Sequence, residues 1–333
     1  MNNLLQLAEN YDKNQHLKSL IRSEDNIMKN LTLIFDPAWK TNREDAPMEV
    51  ISFLLDSYYV MPERPDLASL FMWQAINRLY SEISEKNIGN NGKRPGDLAG
   101  IIHFINDIDR NWNRFYSYMQ PYYDMLPEKI YRFVGNYIIN GILAEDENAK
   151  RFAPLAYNTL NGKTVKDNLT TKFQDLIEGI RGSYACAEKQ YTDPRVENDK
   201  FVKNKQTETK QDKEKLRLIS MNLAHKLKEL VAKGSMNIQL KDTANTNKTI
   251  TFTEKERFGF MLIGVLYASR CNNLHGNVEA RMNSEYADKE TFMTYTDIYL
   301  LEYMITAIGL VMNGQMDEKY LVDLKNNCQL LIR

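Results

Sequence analysis

The chain has 333 residues, enough for two ordinary domains or one large one. Hydrophobic residues make up 43% and charged residues 26%, the balance of a globular chain and not of a disordered one. With 43 Lys and Arg against 44 Asp and Glu, the net charge is -1. That excludes a global basic field for clinging to nucleic acid or anionic membrane, and leaves a local basic groove open.

Only 15 glycines and 9 prolines interrupt the chain, which favours long helices over many short strands. The three cysteines, Cys186, Cys271 and Cys328, are far apart and form no Cys-x-x-Cys pair. Neither they nor the four histidines (His16, His103, His225, His275) have zinc-site spacing. A disulfide scaffold and a His-rich metal site are therefore not expected, no cofactor is expected, and a reducing cytoplasm is the expected compartment. The N-terminal stretch MNNLLQLAENYDKNQ is polar, so no signal peptide is expected. The apolar stretches Phe258–Ala268 and Ile298–Met312 fall short of the roughly 20 residues that span a bilayer, and no membrane partner is expected.

In chain order, residues 1–60 read as helical with a break near Asp36-Pro37, because Leu4, Leu7, Leu17, Leu20, Ile27 and Leu31 recur at helical steps. Met61-Pro62-Glu63-Arg64-Pro65 punctuates the chain. Asp66–Ser84 reads as a strong helix whose broad face carries Leu70, Trp73, Ile76, Asn77 and Tyr80. Ile88–Gly100 is a loop by composition, and Leu98–Tyr118 and Glu128–Leu143 are expected helices separated by Pro121 and Pro127. Asp167–Tyr191 is a further expected helix, with Leu176 and Ile180 inward. Arg195–Arg217 mixes Lys with Glu and Asp, the pattern of a solvated face. Leu216–Ala232 continues as an amphipathic helix that stops before Gly234.

Met236–Leu240 and Thr249–Thr253 alternate apolar and polar residues around a turn-forming stretch, which predicts a hairpin. Thr253-x-x-Glu256 is a capping-box pattern that opens an apolar helix through Phe258, Met261, Leu262, Val265 and Leu266. A last helix is expected from Lys289 to Met312, ending at Asn313-Gly314.

The chemistry-bearing segment is Arg270-Cys-Asn272-Asn273-Leu-His275-Gly276, where an apolar helix stops and unloads polar groups before a glycine. Asn273 lies three residues after Arg270 and shares its helical face. Five residues turn about 140° off-axis at 3.6 residues per turn, so Arg270 and His275 converge only if the helix ends there or a second copy supplies the partner.

This segment resembles the Arg-x4-6-His signature of HEPN domains. The helix Leu70-Phe-Met-Trp73-Gln-Ala-Ile-Asn77-Arg-Leu-Tyr80 is similar to the tryptophan-asparagine-tyrosine helix that often opens such domains. The resemblance implies a mainly α fold, a HEPN-like helical bundle, here with an N-terminal helical extension and one small β-hairpin. Residues 1–61 would be that extension, 62–315 the HEPN-like domain with a long internal insertion, and 316–333 a tail. It further implies metal-independent RNA cleavage by a homodimer in which two Arg-His sets face each other. His275 would move a proton near neutral pH and Arg270 would hold the phosphate oxygens. Asn273, or Asn272, would orient the histidine or bind phosphate. Anti-phage defence or a toxin role, with an antitoxin or regulatory protein as partner, comes with the same resemblance.

One position departs from the family pattern. Where the family usually has Asn or Asp directly after the arginine, this chain has Cys271. That feature favours a second reading, a catalytically silent HEPN-like module that binds RNA or protein. A third is a helical scaffold in which Arg270 pairs with a carboxylate such as Glu302 and only closes a core. No Gly-x-Ser-x-Gly, Walker loop or His-Glu-x-x-His occurs.

Overall fold

The computed structural model describes residues 7–21, 27–42, 44–86, 96–143, 176, 179–180, 196–197, 200–201, 210–240, 246–267, 270, 282 and 287–331. Of these, 76% are helical, and the hairpin is present, so the fold is mainly α with a small β-hairpin. The chain divides into two compact units: residues 1–127 with 272–333, and residues 128–271.

The first unit is built on a buried helix. Helices α1 (Lys13–Ser19), α2 (Met48–Val60), α3 (Pro65–Lys86), α4 (Asp97–Arg110) and α5 (Trp112–Met125) precede the second unit. The helix at Lys289–Met312 is buried on every side from Tyr295 to Val311, the mark of a core helix. Its ends are set locally. Asp288 caps it by accepting the Thr291 amide at 2.7 Å, and Gly314, at φ +74, stops it. By length and composition this helix is apolar enough to cross a membrane, yet 94% of its apolar window is buried inside the protein.

This core helix packs on α3, which also receives α2 and α4. At Gly309 the approach is close: a Cβ there would lie 2.8 Å from Leu79 Cδ1. Met72, Trp73, Ile76, Leu79 and Tyr80 of α3 are buried, as the apolar face in the sequence requires. Asn77 is half-buried and accepts the Ser81 hydroxyl at 3.4 Å.

The sequence reading of residues 1–60 is only partly helical in the structure. Residues 31–36 carry no helix. Instead their backbone is tied to distant side chains. Ile34 donates its amide to the Tyr303 hydroxyl at 2.6 Å, and Asn327 clamps Thr32 through both its amide and its carbonyl. Trp39 Nε1 donates to the Gln315 carbonyl at 2.6 Å. Leu98–Tyr118 is likewise not one helix. It breaks at Asn111, whose side chain donates to the Asp107 carbonyl at 3.0 Å, and a new helix starts at Trp112. Pro121 does not end that helix but sits inside it. Burial of Phe115, Met119, Tyr122 and Tyr123 outweighs the lost backbone hydrogen bond.

In the second unit, α6 (Glu128–Leu143) packs on α7 (Lys210–Lys233). Gly135 of α6 allows this: a Cβ there would stand 3.3 Å from the Ser220 carbonyl oxygen. The short segments β1 (Val196–Glu197) and β2 (Lys200–Phe201) pair antiparallel. The hairpin joins β3 (Ser235–Gln239) to β4 (Asn247–Thr251) in a register that places Met236 opposite Ile250. Both of those side chains are buried, while Asn237 and Thr249 point outward, the alternation that the sequence shows. Of the expected helix at 167–191, only Leu176, Gly179 and Ile180 fall within the described residues; they are helical, and Leu176 and Ile180 are buried.

Candidate functional site

The approach to Arg270 is assembled from consecutive elements of the second unit. Helix α7 ends at Gly234, which takes φ +75, and the Phe252 amide closes onto the Gly234 carbonyl at 2.7 Å. The hairpin therefore returns the chain to the end of α7. Thr253 then caps α8 (Glu254–Gly259) with a complete capping box. Its hydroxyl oxygen accepts the Glu256 amide, and the Glu256 carboxylate accepts the Thr253 amide at 2.7 Å.

Arg257 staples this junction, a role that nothing in its sequence position announced. It is 3% exposed. Its Nε donates to the Val231 carbonyl at 2.6 Å and its Nη2 to the Ala232 carbonyl at 3.0 Å. These are among the last carbonyls of α7, which have no partner inside their own helix. Nη1 completes the set by donating to both oxygens of the Glu254 carboxylate, at 2.7 and 2.9 Å.

From Phe260 to Tyr267 the helix widens into a π-helix, a rare form that is frequent at functional sites. Every residue from Phe260 to Leu266 is buried. Gly264 leaves room for the Phe260 ring, which a Cβ would meet at 3.2 Å, and Phe252 packs on that ring with centroids 5.9 Å apart. A segment buried on all sides is fixed by its neighbours. Burial then falls off abruptly, with Tyr267 and Arg270 both half-buried. The Arg270 guanidinium stands over the Tyr267 ring, 5.9 Å from its centroid. A cation at that distance from an aromatic face gains roughly 0.5–1 kcal/mol, enough to bias its direction. Arg270 is thus a permanent planar cation that is half-buried, a group whose chemistry suits a phosphate or carboxylate.

Of the four expected site residues, Arg270 is the one placed. Asn272, Asn273 and His275 lie outside the described residues, as does Cys271. Glu302, considered above as a partner for Arg270, accepts the Ser69 hydroxyl at 2.7 Å. His225 is exposed and His103 half-buried. Among the described residues, no group of three His, Cys, Asp or Glu side chains is placed to hold a metal ion.

The first unit also contains a tyrosine cluster in which Tyr299 and Tyr303 are buried and Tyr58 is half-buried. The Tyr58 and Tyr303 hydroxyls lie 2.6 Å apart, and Tyr299 packs on Tyr303 with ring centroids 5.7 Å apart. Burial pushes the Tyr58 hydroxyl up to about 12, against the opposing effect of its hydrogen bonds to Tyr303 and Ile34. These phenols are therefore neutral hydrogen-bonding groups at physiological pH, and they join the N-terminal segment to the core helix. No family model matches the chain, and no curated protein or solved structure does either.

Proposed function

We propose that the protein is a metal-independent endoribonuclease of HEPN type, acting as a homodimer in the cytoplasm, in anti-phage defence or as a toxin. The observation that carries this reading is the placement of Arg270. The wholly buried segment Phe260–Leu266 precedes it, and the half-buried arginine stands over the Tyr267 ring. The HEPN-like signature supplies the partners in the reaction: His275 as proton carrier, with Asn273 or Asn272 to orient it or to bind phosphate. The 2′-hydroxyl gives up its proton as its oxygen bonds to the adjacent phosphorus, the bond from phosphorus to the 5′-oxygen breaks, and the departing 5′-oxygen takes up a proton, with no net proton change and His275 as the carrier. The products are a 2′,3′-cyclic phosphate and a free 5′-hydroxyl. Arg270 neutralises the charge that builds on the nonbridging oxygens. An antitoxin or other regulatory protein is the proposed second partner.

The test is cleavage of a mixed RNA pool by the purified protein in EDTA. His275→Ala and Arg270→Ala are each expected to slow the reaction about a hundredfold or more, with unchanged circular dichroism. Cyclic-phosphate ends should appear with the wild type. Equal cleavage by both variants would remove the assignment. Cys271, in place of the usual Asn or Asp, supports a second reading, a silent HEPN-like module that binds RNA or protein. RNA binding without cleavage in the same assay would favour it.

A further inference from the structure

Residues 31–36 carry no helix, and their burial alternates. Ile34 and Asp36 are buried, whereas Leu33 and Phe35 are 50% and 42% exposed. The backbone alternates in step. The Thr32 amide and carbonyl bond the Asn327 side chain, and the Ile34 amide bonds the Tyr303 hydroxyl. A period of two in side chains and backbone alike is that of an extended strand. Asn327 and Tyr303 stand along one edge of it, where a neighbouring strand would otherwise lie. Extended geometry turns the amides and carbonyls of Leu33 and Phe35 to the other edge. Among the described residues those groups have no hydrogen-bond partner. Pro37 has no amide to offer and closes the edge after Asp36.

Size and charge say what this edge takes. Six extended residues reach about 20 Å at 3.3 Å per residue, the footprint of one strand. A stable globular interface needs roughly 800 Å² from each partner, far more than such an edge offers. Lys29 precedes the edge, and the Lys40 ammonium stands 5.2 Å from the centroid of the Phe35 ring. Both lysines are exposed, and among the described residues neither has a carboxylate partner. The carboxylate of the segment itself, Asp36, is turned inward onto the Ala38 and Asp317 amides. The first unit is acidic overall, with 18 Lys and Arg against 26 Asp and Glu, where the second has 25 against 18. Charges farther off than about 8 Å are screened at physiological salt, so the bracketing lysines decide the match. A second copy is the poorer fit, because antiparallel self-pairing about Ile34 brings the Lys29 end of one chain to the Lys40 end of the other.

We infer that the open edge at Leu33 and Phe35 is a docking site for an extended, acidic-flanked strand of a partner protein. The added strand pairs its backbone with the amides and carbonyls of Leu33 and Phe35, sets apolar side chains beside those two residues, and carries carboxylates to Lys29 and Lys40. The inference does not depend on the ribonuclease reading.

The experiment uses the full chain and a short fluorescent peptide, with valine and threonine alternating in its centre and glutamates at both ends. Anisotropy titrations compare it with a lysine-ended peptide and with a glutamate-ended peptide whose central amides are N-methylated. The first should bind saturably, and each comparison peptide about tenfold or more weakly. Leu33→Pro removes an edge amide that bonds nothing inside the protein, and the extended Thr32 before it suits a proline. It should weaken binding by a similar factor with unchanged circular dichroism. Lys40→Glu leaves the backbone of the edge intact and should narrow or reverse the preference for glutamate ends. If Leu33→Pro loses its fold, Lys40→Glu and the methylated peptide decide alone. No saturable binding below about 1 mM, equal binding of the methylated peptide, undiminished binding by folded Leu33→Pro, or an unchanged preference in Lys40→Glu would each overturn the inference. A dimer in sedimentation that Leu33→Pro dissolves would give the edge to a second copy and overturn it as well.

Discussion

Glu302 sits in the middle of the core helix with 1% of its surface exposed, and its described partner is the Ser69 hydroxyl at 2.7 Å. Burial raises its pKa well above the ordinary carboxyl value, and the Ser69 bond lowers it by less. The folded state therefore keeps a proton that the unfolded chain releases. Stability from this group is fully present below its unfolded pKa and is lost as pH rises through the window above it, by at most about 1.4 kcal/mol per pH unit. Glu302→Gln keeps the shape and an oxygen to accept from Ser69 but removes the titration. Relative to wild type, the variant should gain stability between pH 5 and pH 8, as read by urea unfolding at each pH; a difference that stays constant would show that Glu302 titrates alike in both states. The sequence marked Glu302 as a charge in an apolar stripe. It had no means of naming Ser69, which lies 233 residues away, nor of showing that Arg257 turns inward onto the carbonyls of another helix. Local patterns announce a buried charge; its partner is a product of tertiary packing.

Elements whose ends are set by nearby residues were legible. The core helix at Lys289–Met312 runs between the expected bounds, because Asp288 and Asn313-Gly314 terminate it through their own atoms. The hairpin and the capping box after it are equally local. Elements decided by packing were not legible. Pro121 lies within α5 because four buried side chains hold that helix together. A helix through Phe258–Leu266 is expected from the sequence, but nothing local announces that it widens to the π form from Phe260 to Tyr267. Close helix contacts belong to the same class, and Gly309 offers the sharpest case. A Cβ there would meet Leu79 Cδ1 at 2.8 Å and Leu79 Cβ at 3.4 Å, and Leu79 is itself wholly buried. Gly309→Val adds three carbons where one already collides. The expected cost is roughly 2–3 kcal/mol by overpacking, measured by urea denaturation. A neutral result would mean that α3 and the core helix separate without penalty.

At the scale of the molecule, two compact units of opposite net charge share one chain. The positive unit carries Arg270. Compact units of one chain need not unfold together, and multidomain chains commonly depart from two-state behaviour. The sequence supplies a way to watch them apart. All three tryptophans, Trp39, Trp73 and Trp112, belong to the first unit, whereas helical circular dichroism reports both. Tryptophan fluorescence and circular dichroism should therefore give urea curves that do not superimpose. Two substitutions assign the steps. Gly309→Val, in the first unit, should lower the fluorescence midpoint by about 1 M, taking a loss near 2 kcal/mol and a slope near 2 kcal/mol per molar. Gly135→Val, where a Cβ would already stand 3.3 Å from the backbone oxygen of Ser220, should shift the circular-dichroism curve and leave the fluorescence midpoint in place. If the wild-type curves coincide and each variant moves both, the units are one cooperative body. In that case a destabilising change beside the tyrosine cluster of the first unit would be felt at Arg270.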